Sequence, residues 1–195
     1  MKKLMIVCAL AFALTTATNT TSLHARAPAK AEGLHKVLKR VIKSIRYKRD
    51  AKALTMFDGP AQGALLGGAH WGKASDAQKK EFIALFHKMF AGIAFPRIRS
   101  SLEHLETVLY EAPKVSGNKA TVAATIVILH ALKKQELKVS FDLVNNGGWR
   151  VTDVTVKGNP SMLSRIRDEQ INKIYARGGW PKLIELLRKR VAKFK

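Results

Sequence analysis

Asn145-Asn146-Gly147-Gly148-Trp149-Arg150-Val151-Thr152-Asp153-Val154-Thr155-Val156-Lys157-Gly158 is the stretch that decides the fold. Two asparagines followed by two glycines tolerate positive φ and read as a tight turn. Before the turn, Leu137, Val139, Phe141 and Leu143 alternate with Lys138, Ser140 and Asp142, the pattern of a half-buried strand. After it, Trp149 and Val151 share one parity but Val154 and Val156 take the other. That slip places a bulge near Thr152-Asp153, and a bulge bends a sheet. Upstream, Leu105–Glu111 and Lys119–Ala131 flank Ser116-Gly117-Asn118, a hairpin signal. The expected sheet is a bent four-stranded antiparallel meander, which calls for helices on its concave side.

The helices come from both ends of the chain. Residues 28–32 are rich in Pro, Ala and Lys and read as a loose lead-in. Leu34, Val37, Leu38, Val41, Ile42 and Ile45 then follow helical spacing, with Lys36, Lys39, Arg40, Lys43 and Arg46 on the other face. Asp58-Gly59-Pro60 punctuates the chain. Ala61–Leu66 reads as a short helix stopped by Gly67-Gly68, and Gly63, Gly67 and Gly68 as small residues that let helices approach closely. Ser75 and Gln78 have capping-box spacing ahead of a stripe of Phe82, Phe86, Met89, Phe90 and Ile93. Pro96 is expected to end that helix. Gly92 inside it reads either as fraying before Pro96 or as room made on a cavity wall. Asn159 reads as the cap of a helix with Pro160 at its first position, carrying Leu163, Ile166, Gln170 and Ile174 and ended by Gly178-Gly179. A last helix carries Trp180, Leu183, Ile184, Leu187 and Val191. Helices, meander, helices make a single α+β domain.

Lys2 and Lys3 ahead of the unbroken apolar run Leu4–Leu14 have the form of a secretory leader, with Ala25-Arg26-Ala27 as one cleavage pattern. Removing residues 1–27 leaves a domain over 28–195 with no cysteine, since Cys8 lies in the apolar run. Neither a disulfide nor a thiolate site is then available. The same cut lowers the formal charge by three, from +21 to +18. In an exported protein such a charge points to anionic membrane surfaces or acidic proteins rather than to nucleic acid.

Catalytic signatures are missing. His24, His35, His70, His87, His104 and His130 show no zinc-binding spacing. Ser161 and Ser164 stand in no nucleophile-elbow motif, and no Gly-Lys-Ser/Thr follows the glycines at 63–68. Asp142 and Asp153 are the strand carboxylates that an inward-facing general base would use. The plainer reading points Asp142 to solvent and has Asp153 accept backbone N–H groups at the bulge.

Four segments in order carry a resemblance: Leu66-Gly67 to Trp71; Gln78, Phe82 and Phe86; Gly148-Trp149-Arg150-Val151 with Asp153-Val154, Gly158, Ser161 and Arg167; and Gly179-Trp180-Pro181-Lys182-Leu183-Ile184. Together they resemble the MlaC or toluene-tolerance family, periplasmic phospholipid-binding components of ABC-type transport systems. Asn159-Pro160 stands as an insertion before Ser161 relative to the family's pattern. The resemblance implies an apolar cavity, enclosed by sheet and helices, that holds the acyl tails of a phospholipid with its head group outside. It implies no catalytic residue, cofactor or metal. It implies a monomer whose partners are an inner-membrane ABC transporter complex with a substrate-binding ring protein and an outer-membrane lipoprotein complex, in a system that keeps outer-membrane lipid asymmetry. The lining candidates are Phe86, Met89, Phe90 and Ile166 from helices, and Val127, Leu129, Val139, Phe141, Val154 and Val156 from strands. Each would be equally at home in an ordinary core. Two other readings remain open: a cone-shaped isomerase or hydrolase built on Asp142 or Asp153, and a basic module for anionic membrane surfaces through residues 34–49 and 182–195.

Overall fold

The computed structural model describes residues 27–130 and 133–194; the stretch read as a leader, with Cys8 and His24, lies outside them. Helix α1 spans Ala27–Arg46, so residues 28–32 are helical rather than a loose lead-in. Pro28 does not oppose this, because a helix's first turn has no use for its N–H. Leu34, Leu38, Val41 and Ile45 are buried, and the basic residues Lys36, Lys39, Arg40, Lys43 and Arg46 face solvent. The apolar stripe therefore packs onto the domain. A short helix, α2 (Asp50–Leu54), follows, held by an ion pair of 2.6 Å between Asp50 and Arg99.

Asp58 opens α3 (Gly59–Gly67) by accepting the Ala61 N–H at 2.9 Å. Its second oxygen accepts from Asn146 Nδ2 at 3.2 Å, tying the helix to the Asn-Gly turn of the sheet. After α3, a six-residue 3₁₀ helix (Gly68–Lys73) folds Trp71 back across the helix. A Cβ on Gly63 would sit 2.5 Å from that ring and one on Gly67 2.8 Å, so both positions need glycine for this approach.

The capping box of Ser75 and Gln78 opens α4 (Asp76–Met89) as its spacing predicts. Pro96 does not stop the chain. A π-turn over Phe90–Ala94 leads into α5 (Phe95–Ser101), with the Phe95 N–H reaching Phe90 O. Widening the turn absorbs the donor that proline lacks. Gly92 is exposed and faces Phe194, so the space it leaves belongs to the C-terminus and not to a cavity wall.

The sheet has five strands. Its main path runs β1 (Leu105–Tyr110), β3 (Lys119–His130), β4 (Lys133–Asn145), β5 (Trp149–Val156). A three-residue strand, β2 (Lys114–Ser116), adds to the same edge of β3 as β1, and Gly117-Asn118 makes the β2–β3 hairpin. The extra strand arises because Pro113 cannot donate to the ladder and splits the edge in two. Between β4 and β5, Asp142 pairs with Asp153 and Leu143 with Val151, leaving Thr152 as the bulged residue.

Ser161, not Asn159, caps the next helix, accepting the Ser164 N–H at 3.2 Å. Here α6 (Met162–Ile166), a π-turn (Arg167–Ile171) and α7 (Asn172–Tyr175) form one winding. The π-turn advances the inward face by one residue, so Ile171 is buried and Gln170 is exposed. Helix α8 (Gly179–Val191) closes the domain against α4, burying Trp180, Leu183, Ile184 and Leu187. Among the described residues no helix is long and apolar enough to cross a membrane.

Candidate functional site

The bulge at Thr152 and the long β3–β4 ladder curve the sheet so that its inner face does not close against the helices. Register fixes which residues face in: Ala124 pairs with Val139, Val122 with Phe141, and Phe141 in turn with Val154. Their parity brings Ile126, Ile128, Leu137, Val139, Phe141 and Val151 to a cavity of about 430 Å³, within the size range of small-molecule sites. Val154 and Val156 continue the wall beyond the bulge, and both are half-buried although apolar and on the inner face.

Helices supply the opposite wall. Val41 and Ile45 come from α1, Phe90 from the first π-turn, and Ile98 and Leu102 from α5 and its end. Phe57 enters from the α2–α3 connection because that segment pairs with the free edge of β5: the Val151 N–H donates to Met56 O and the Asp58 N–H to Val151 O, both at 2.9 Å. Phe57 meets Phe90 edge-on at 5.5 Å, and Phe95 backs both rings at 6.2 and 5.2 Å. This aromatic base fixes the cavity floor, since ring quadrupoles favour such tilted pairs.

Polar residues appear only at the mouth. Arg97, Ser101, Asn159, Pro160 and Arg165 line it and all are exposed. Asn159 and Pro160, read in the sequence as an insertion before Ser161, form part of this rim.

Of the ten sequence candidates, Phe90, Val139, Phe141, Val154 and Val156 line the cavity. The other five stand elsewhere. Phe86 lies behind Phe90, stacked at 5.7 Å and facing the α4–α8 core. Met89 and Ile166 sit on helix flanks, partly buried against the core but off the lining. Val127 and Leu129 have the opposite parity of β3 from Ile126 and Ile128, and Leu129 is 42% exposed. Residues missed in the sequence include Phe57, Ile98, Met162, Arg97 and Arg165. Pairing Phe141 with β3 was the signal that would have selected Ile126 and Ile128.

Asp142 and Asp153 both lie off the lining. Asp142 accepts from Thr121 Oγ1 at 2.8 Å across the outer face. Asp153 accepts the Val154 N–H at 2.7 Å and the Leu163 N–H at 3.1 Å, fastening the start of α6 to the bulge. Burial depresses the His87 pKa and pushes Tyr110 up to about 12, yet neither side chain reaches the cavity. Among the described residues no three His, Cys, Asp or Glu side chains gather as a metal site.

A second, open groove of about 360 Å³ runs between α1 and β1, with Lys39, Lys43 and Arg46 above Ile42, Leu105 and Val108.

No curated protein matches the chain. Among solved structures, it is similar in fold to a phospholipid-binding protein from Ralstonia solanacearum, solved at 1.53 Å in complex with a phospholipid. The TM-score is 0.61 at 17% identity, covering 84% of this chain and 97% of that one. The family model for the MlaC protein matches residues 35–189, from the first turns of α1 almost to the end of α8, and by that match the chain belongs to the MlaC family.

Proposed function

We propose that this protein is a periplasmic phospholipid carrier that takes the acyl tails into the cavity and leaves the head group at the mouth. A leader over residues 1–27 exports it, and 28–195 act as one lipid-binding domain. It then shuttles lipid between an inner-membrane ABC transporter with its substrate-binding ring protein and an outer-membrane lipoprotein complex. The observation that carries this reading is a cavity walled by Val, Ile, Leu and Phe whose polar residues stand only at its rim. Burying a methylene is worth about 0.8 kcal/mol, so a tail of about 16 carbons exposed to water costs more than about 10 kcal/mol. A dry hole is the physical requirement for moving such a molecule, and no reactive side chain is. The bound phospholipid of the Ralstonia protein supports the same reading.

The native protein is expected to carry about one diacyl lipid per chain, with its tails entering this cavity. Native mass spectrometry and solvent extraction of detergent-free preparations measure this. Preparations repeatedly free of lipid that also take up none from vesicles would overturn the proposal.

Charge supports a role at anionic surfaces. The exposed basic faces of α1 and α8 should bind anionic vesicles at low salt. The Debye length falls from about 30 Å at 0.01 M to about 8 Å at 0.15 M, so this binding should weaken steeply across that range. Cavity lipid should not respond, because its burial is apolar. Flotation across a salt series, with lipid assayed on the same fractions, reads both quantities. Vesicle binding that persists at high salt would show that an apolar surface inserts instead.

A further inference from the structure

Three of the eleven arginines among the described residues are paired with a nearby acid. Arg99 on α5 holds Asp50 at 2.6 Å, Arg167 beside α6 holds Asp168 through two contacts of 2.8 and 3.1 Å, and Arg188 holds Glu81 at 2.6 and 2.9 Å. Arg97 and Arg165 lie two residues from Arg99 and Arg167 in sequence. Yet among the described residues neither has an acidic partner, and no carboxylate lines the cavity whose mouth they share. Arg97 comes from α5 and Arg165 from α6, so the two approach the opening from different elements. Exposed Ser101 and Asn159 add an hydroxyl and an amide to the same rim.

Guanidinium groups stay charged at every relevant pH and present a planar fork that matches phosphate oxygens. Their aliphatic stems can lie along apolar wall while the head stays in water. A glycerophospholipid with its tails inside brings its phosphate to this rim. We propose that Arg97 and Arg165 grip that phosphate from two sides and make the carrier select lipids whose head group is net negative. This rests on the carrier reading above. A zwitterionic head group brings an ammonium beside two guanidiniums with no carboxylate to receive it. A phosphatidylglycerol head group brings hydroxyls that Ser101 and Asn159 can meet.

The test loads the full mature protein from vesicles of equal phosphatidylglycerol and phosphatidylethanolamine with matched acyl chains, then measures the bound ratio by mass spectrometry. Mixed vesicles make encounter common to both lipids. Wild type should hold the anionic lipid in roughly five- to tenfold excess, and a tenfold ratio corresponds to about 1.4 kcal/mol. Arg97→Gln with Arg165→Gln should bring the ratio near unity while total lipid per chain is retained. Lys39→Gln with Lys43→Gln, away from the mouth, should weaken vesicle binding and leave the ratio alone. A wild-type ratio of one overturns the selection and leaves the carrier standing, whereas absence of both lipids overturns the carrier itself. A ratio that collapses in the lysine variant assigns the preference to surface charge and overturns the proposal. So does equal loss of both lipids in the arginine variant. Inorganic phosphate alone should neither displace the lipid nor bind measurably. If it binds wild type but not the arginine variant while the lipid ratio is flat, the rim is a free-anion site and the head-group assignment is wrong.

Discussion

Phe141→Asp is expected to empty the cavity of lipid. Phe141 sits at the centre of the inner face, paired with Val122 and Val154, and is 7% exposed. A carboxylate there has no donor among the surrounding valines. It must remain charged at a cost of several kcal/mol or take up a proton and stay polar. Either state opposes an acyl chain, so retention should fall by roughly a hundredfold or more, a change of about 2.7 kcal/mol. Three companion variants separate loss of the site from loss of the fold. Val156→Trp adds a ring at a half-buried position facing the cavity, so it should displace lipid while the melting temperature holds, because the volume it needs is empty. Leu129→Asp places the same charge on the outer face and should leave lipid bound. Asp142→Asn should also leave it bound, since that carboxylate only holds Thr121 across the outer face. Loss of lipid in Asp142→Asn but not in Phe141→Asp would move the assignment toward a carboxylate-based enzyme.

The sidedness that Leu129 tests also marks the limit of what the chain discloses before it folds. The turn at 145–148, the Thr152 bulge and the Ser75–Gln78 cap were legible because each depends on residues adjacent in sequence, where local sterics and hydrogen bonding decide. The parity of β3 was not. Val122, Ala124, Ile126 and Ile128 are all apolar, but so are Val127 and Leu129 on the other face, and alternation alone cannot choose between them. Only pairing with β4, whose outer residues Lys134, Glu136 and Lys138 are charged, sets the inner side. The two π-turns left no mark either. Each inserts one residue into a helical repeat, turning Gln170 outward and carrying the first winding past Pro96. Phe57 escaped because it is a single aromatic in a connection with no periodicity, placed by two backbone hydrogen bonds to β5.

What holds the domain shut lies apart from the cavity wall, and the largest stability effect is expected there. Trp180 is 4% exposed at the start of α8, with its Nε1–H donated to His70 O at 3.1 Å. Its ring meets Phe82 edge-on at 5.3 Å and both Trp71 and Tyr175 at 5.9 Å, joining α8 to α4, to the 3₁₀ turn and to α7. Trp180→Ala removes this ring from a position that glycine-constrained neighbours cannot refill, since Trp71 is already pressed onto Gly63 and Gly67. The expected cost is about 3–5 kcal/mol. For a domain of this length that lowers the melting temperature by roughly 6–20 °C. Trp180→Phe keeps most of the apolar contact and loses the hydrogen bond, leaving His70 O unpaired at a cost of about 1–3 kcal/mol. Because none of these aromatic residues lines the cavity, the fraction of Trp180→Phe that remains folded should carry as much lipid per chain as wild type. Thermal melts with lipid quantified on the same samples measure both. A variant that stays folded yet loses its lipid would show that α8 shapes the cavity at a distance, and the separation of closing helix from binding wall would have to be abandoned.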